Sequence, residues 1–237
     1  NHYGAIVSAG TFTHGHVGPS AFDELVRIAQ PGGLFVFTIH NKLYKKAGFD
    51  KKFKEIQKNI TDKTKAIITV SLQGLSVDMD PILELAKEKG IIVIDDSAQN
   101  ILGTYKGRSA GALADISVFS FENKKHITSG SEGGMLLTDN EEYATRARKF
   151  GGIGYKHMTA TAGRTSLALS DVQDPDYERF DTIGLNYRMS EVSAAVGLAQ
   201  FERINGIVER RIAVAKMFDE AIQGCDWIVP QYIPEEY

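Results

Sequence analysis

The chain has 237 residues, 43% hydrophobic and 24% charged, an ordinary globular balance with length for one large domain or two small ones. Its formal net charge of −3 gives no electrostatic footprint for nucleic acid or an anionic membrane surface, and no apolar run is long enough for a membrane helix. The single cysteine, Cys225, excludes an internal disulfide and fits a reducing cytoplasm.

Charge is uneven along the chain. Residues 1–57 carry 7 Lys+Arg against 4 Asp+Glu, a net of +3, and the remainder has a net of −6. Two units are therefore expected, 1–57 and 58–237. In the first, Ala5-Ile6-Val7 reads as a short buried strand, and Pro19 to Gln30 as a helix with Phe22, Leu25, Val26 and Ala29 on one face. Pro31-Gly32-Gly33 stops that helix, Leu34 to Phe37 starts another strand, and Lys42 to Lys58 is basic and weakly amphipathic.

From Thr64 the pattern sharpens. Ala66 to Val70 reads as a buried strand. A helix follows, with Asp80 as N-cap, Pro81 at its first position, Gly90 past its end, and Met79, Ile82, Leu83 and Ala86 on its apolar face. Ile91 to Ile94 is the next strand. Strand, helix, strand at this spacing predicts an α/β fold with a mostly parallel sheet flanked by helices. Ser117 to Phe121 and Met135 to Thr138 are further strands, and Asn140 to Phe150 is a helix. Residues 151–185 read as a long loop, the kind that is usually functional. Ser190 caps a helix in which Val192, Ala195, Val196 and Ala199 form a buried stripe, and a last helix runs from about Ile207 to Ile222.

Chemistry concentrates at the predicted strand ends. Asp95 and Asp96 close the Ile91 to Ile94 run, where open α/β sheets bind ligands. Gln99 lies one helical turn beyond Asp96. Ser120 ends the next strand, Lys125 follows five residues later, and a Gly-rich turn comes at Gly130, Gly133 and Gly134. An amine, a hydroxyl and an acid at strand ends suit pyridoxal phosphate. The amine forms the Schiff base, the hydroxyl holds phosphate, and the acid keeps the ring nitrogen protonated. Each residue also has a plainer role. Asp96 caps a helix, Gln99 is a surface amide, and Lys124-Lys125 are two solvated charges. Asp95 competes with Asp96, and Lys124 with Lys125. Asn186 and Arg188, just before the capped helix, can reach an anion at its N-terminus or simply form a capping loop.

From about Asn59 to the C-terminus the sequence resembles the DegT/DnrJ/EryC1/StrS sugar aminotransferases. The resemblance rests on Thr64 to Ile68, Asp95-Asp96-Ser97-Ala98-Gln99, Tyr105-Lys106-Gly107-Arg108, Phe119-Ser120-Phe121 with Lys125, and Gly184 to Ser190. It implies a fold type I pyridoxal phosphate enzyme acting on nucleotide-linked 4-keto or 3-keto sugars, with glutamate as a usual amino donor. By position, Lys125 is then the Schiff-base lysine and Asp96 the partner of the ring nitrogen. Gln99 lies by the ring oxygen and Ser120 by the phosphate. Asn186 reaches the phosphate of a neighbouring subunit, which implies a homodimer. Related sugar dehydratases carry histidine where Lys125 stands, so transamination is expected. Ser131 is a one-residue insertion before Glu132-Gly133-Gly134.

The resemblance also implies an N-terminal phosphate-binding turn and a small C-terminal domain, and both are expected to be missing from this sequence. Residues 1 to about 57 instead resemble part of a class I S-adenosylmethionine methyltransferase, on Ala5 to Val17, Asp23-Glu24-Leu25 and Pro31-Gly32-Gly33-Leu34. That family's cofactor-binding residues are absent, so this segment is not expected to methylate. His14 and His16 read as a solvated loop rather than a metal site. A chimera joined near residues 53–59 is expected, with uncovered sheet edges and apolar faces that favour self-association. An inactive fragment is the alternative to an active aminotransferase, and a methyltransferase fragment is the third reading.

Overall fold

The computed structural model describes residues 3–12, 19–39, 60, 61, 63–163, 168–228 and 233. His14, His16 and the basic stretch from Lys42 to Lys58 lie outside the described residues.

Strands β1 (Tyr3–Phe12) and β2 (Ala29–Ile39) pair in parallel around helix α1 (Ala21–Ile28). The second strand starts earlier than expected and runs through Pro31-Gly32-Gly33. The register slips there, from Tyr3 opposite Ala29 to Ala5 opposite Leu34. Pro31 has no N–H to give to a ladder, and the glycines let the extra residues bulge.

The main sheet has the order β3 (Ala66–Val70), β4 (Ile92–Asp96), β7 (Ile116–Ser120), β8 (Gly134–Leu137). The first three strands are parallel and β8 returns antiparallel to β7. β2 lies beside β3, although the two belong to separate hydrogen-bonded sheets. Helix α2 (Met79–Lys89) crosses from β3 to β4 and covers one face. Its Met79 and Ala86 pack with Val93 and Tyr105 into a core flanked by Ile67, Ile82 and Leu83. The predicted apolar face is therefore the buried one. The cap is not where it was expected: Asp78 is the N-cap, and Asp80 lies inside the first turn. There Asp80 pairs with Lys106, in the turn between the two-residue strands β5 (Thr104–Tyr105) and β6 (Arg108–Ser109), and with Arg108 of β6, and the Lys106 hydrogen bond is the main influence holding its carboxyl below the ordinary range. Gly90 ends the helix in the left-handed conformation, φ 62°, as the sequence predicts.

Helices α3 (Glu141–Gly151), α4 (Leu169–Gln173), α5 (Glu191–Phe201) and α6 (Ile204–Ala221) complete the described chain. Asn140 caps α3 through bonds from Glu142 and Tyr143 N–H groups, and Ser190 caps α5 through Ser193 N–H. The expected buried stripe of α5 is not buried: Val192 is 76% and Val196 38% exposed, and Ala195 and Ala199 are also exposed. Periodicity identifies an apolar face but not its cover. No described helix is long and apolar enough to cross a membrane.

Candidate active site

Parallel strands present their carboxyl ends to one rim, and side-chain alternation decides what each residue faces. Thr69, Asp95 and Ser117 form one cross-strand row, and Val70, Asp96 and Val118 the next. Asp95 therefore shares the face of Val93, beneath α2, whereas Asp96 and Ser120 fall on the other face.

The two acids consequently live in different surroundings. Asp95 is 1% exposed. It accepts hydrogen bonds from the hydroxyls of Thr69 (2.8 Å), Ser71 (3.3 Å) and Ser97 (2.5 Å). Burial pushes its carboxyl above the ordinary value, although the three hydroxyls pull the other way. Asp96 is half-buried and accepts from Ala98 N–H at 3.0 Å, a turn that leads into Gln99. Ser71 N–H donates to the Asp96 carbonyl, and Ser97 N–H to that of Val118, so this strand end is tied to both neighbours.

Gln99 turns back across the rim and accepts from Gln73 N–H at 2.9 Å. Gln73 sits in the 3-10 turn Leu72–Gly74 with φ 56°, a left-handed conformation uncommon for a residue with a Cβ. On the other side, Ser120 Oγ accepts from Glu122 N–H. Lys125 N–H donates to the Glu122 carbonyl at 2.9 Å, and Ser129 is bonded to Phe121 and Glu132, which closes the loop. Gly134 is needed at its exit, because a Cβ there would lie 2.5 Å from the Phe119 carbonyl oxygen. Ser131 is exposed in this turn, and β8 pairs with β7.

A cleft of about 450 Å³ opens between these turns, lined by Gln73, Gln99, Glu122, Lys124, Lys125, His126 and Arg211. Two of the predicted site residues, Gln99 and Lys125, meet in its wall. Asp96 and Ser120 stand at the adjoining strand ends and are not among the lining residues. Lys125 is half-buried and Lys124 exposed. Asn186 is elsewhere, bridged to Gly152 and accepting from Arg188 Nε at 3.0 Å, so these two side chains engage each other. His126 is half-buried, and burial, then the Arg211 and Lys125 charges, lower its pKa.

Sequence reading missed Gln73 and Arg211. Gln73 was findable, since it follows directly from the carboxyl end of a predicted strand. Arg211 carries no local signal, because its bond to the Lys125 carbonyl spans 86 residues.

Known proteins resemble this chain in sequence and fold. GDP-perosamine synthase of Caulobacter vibrioides is 37% identical over 164 residues, which is 69% of this chain and 39% of the relative. An aminotransferase from Psychrobacter cryohalolentis superposes with a TM-score of 0.64 and 28% identity, covering 93% of this chain and 51% of that one. A DegT DnrJ EryC1 StrS aminotransferase from Brucella abortus gives a TM-score of 0.64 at 25% identity, over 99% and 57% of the two chains. The chain thus spans about two fifths of its curated relative. These matches lend no support to a methyltransferase origin for residues 1–57. The family match begins upstream of the expected boundary and runs over residues 45–236, and on it the chain belongs to the DegT/DnrJ/EryC1/StrS aminotransferase family.

Proposed function

We propose that this chain carries the cofactor-holding part of a cytoplasmic, pyridoxal phosphate-dependent aminotransferase acting on a nucleotide-linked keto sugar, with glutamate as amino donor. The observation that carries this reading is the cleft at the strand ends where Lys125 and Gln99 meet. The likeness to a relative named GDP-perosamine synthase supports the sugar substrate. The boundary near residue 57 belongs to the proposal, supported by the separate two-stranded sheet of β1 and β2.

The donor set fits the cofactor. Lys125 supplies the amine for attachment, and Lys124 is the exposed alternative. Asp95 is enclosed by three hydroxyls on the α2 side, so Asp96 is the acid left for the ring nitrogen. Gln99 serves the ring oxygen and Ser120 the phosphate. Asn186 is exposed and serves the phosphate of a second copy in a homodimer. When bound, the cofactor withdraws electrons from the substrate carbon. Asp96 would be the partner that keeps the ring nitrogen protonated. With the cofactor held there, Lys125 would carry a proton between the amine-bearing substrate carbon and the cofactor carbon, the transfer that transamination requires.

Incubation with glutamate and a nucleotide-linked keto sugar, read by mass spectrometry, tests the reading. Amino-sugar product with the parent and none with Lys125→Ala is expected. Product formation undiminished in Lys125→Ala sinks the assignment. A second reading is a folded but inactive unit. It is favoured by the exposed apolar side chains of α5 and α6, among them Val192, Leu198, Met217 and Phe218. Turnover by this chain excludes it.

A further inference from the structure

We propose that Arg211 is a positioning residue for Lys125, holding the cofactor lysine in register with the cleft from a helix 86 residues away. This inference rests on the function proposed above. The Arg211 Nη2 group donates to the Lys125 carbonyl at 3.1 Å. The Lys125 N–H is already engaged by Glu122, so both backbone polar groups of this residue are fixed while its side chain lines the cleft. Among the described residues, the loop's other hydrogen bonds are local, from Phe121, Glu122, Ser129 and Glu132. Among the described residues, Arg211 is the only one from α6 that lines the cleft, and that helix is exposed along its last eleven residues, from Arg211 to Ala221. A guanidinium suits the task, since its rigid fork loses less freedom per hydrogen bond than a lysine ammonium does. The lowered pKa of the neighbouring His126, to which Arg211 and Lys125 both contribute, agrees with a guanidinium close to this segment.

Arg210 provides an internal control. It is adjacent and also exposed, but its Nε donates to Gly206 within its own helix. Two readouts separate the tether from the cofactor. The first is amide hydrogen exchange over residues 122–129 without cofactor. Loss of one charge-assisted hydrogen bond in Arg211→Ala should speed exchange there about tenfold. Arg210→Ala should leave it unchanged, and Arg211→Lys, which keeps a charged donor, should recover part of the protection. The second is the pyridoxal phosphate concentration giving half-maximal borohydride-trapped label on Lys125. It should rise about tenfold in Arg211→Ala, with label shifting towards Lys124. Circular dichroism melts of each variant establish that it is folded. Exchange and labelling in Arg211→Ala equal to the parent, or an Arg210→Ala variant equally impaired, overturns the proposal. A parent that takes no label on Lys125 overturns the proposed function, and the positioning role with it. The exchange result then still reports whether the tether exists.

Discussion

Replacing Thr69 by valine keeps the shape of the side chain and removes one hydroxyl from the buried Asp95 carboxylate, 2.8 Å away. A hydrogen bond to a charged group is worth about 1.5–3 kcal/mol. Ser71 and Ser97 remain as donors, which places the expected loss in the lower half of that range, about 2 kcal/mol. For a chain of this size that corresponds to a fall in Tm of roughly 4–8 °C. The penalty should depend on pH. The Thr69 hydroxyl favours the charged form of Asp95, so its removal costs most where Asp95 is ionised and less as pH falls through the raised folded-state pKa. Urea melts of parent, Thr69→Val, Asp95→Asn and the double variant close a thermodynamic cycle. A coupling of about 1–2 kcal/mol is expected at pH 7. If Thr69→Val costs the same in the Asp95→Asn background as beside the native carboxylate, the hydroxyl cage does not act as described.

Three further outcomes follow from the same geometry. Burial raises the Asp95 pKa in the folded state, so its contribution to stability is present below the unfolded value near 3.9 and is lost as pH rises through the folded one; Asp95→Asn should remove that decline from a pH series of urea midpoints, and identical slopes would contradict it. Gly134→Ala should cost about 1–3 kcal/mol by overpacking against the Phe119 carbonyl, whereas Gly90→Ala, with open space around it, should cost only the about 1 kcal/mol of a left-handed residue; thermal melts giving the reverse order would refute the clash. Tyr105→Phe removes a hydroxyl that donates to Asp78 and accepts from Asp80 N–H, and should lower stability by about 1–2 kcal/mol in a denaturant titration, an unchanged midpoint counting against that staple.

The crossover from β3 through α2 to β4 was legible because its cues agree: an apolar strand, a 3.6-residue stripe, a left-handed glycine and a second apolar strand. The caps Asn140 and Ser190 were legible for the same local reason. Asp80 misled because an acid before Pro81 looks like a cap, while its partners Lys106 and Arg108 lie more than 25 residues on, in a hairpin whose approach to the helix only the fold reveals. The α5 stripe misled because apolar spacing says nothing about what packs on it. In the site, strand alternation separates Asp95 from Asp96, a distinction that needs the register with β3 and β7. The hold of Arg211 on Lys125 depends on tertiary folding alone.

The most direct measurement of the central claim is the position of cofactor attachment. The parent chain is incubated with pyridoxal phosphate, reduced with borohydride, digested and mapped. A visible absorption band before reduction and a single labelled peptide carrying Lys125 are expected, lost in Lys125→Ala and weakened in Asp96→Ala. Label on Lys124, or scattered over exposed lysines with no band, would contradict it.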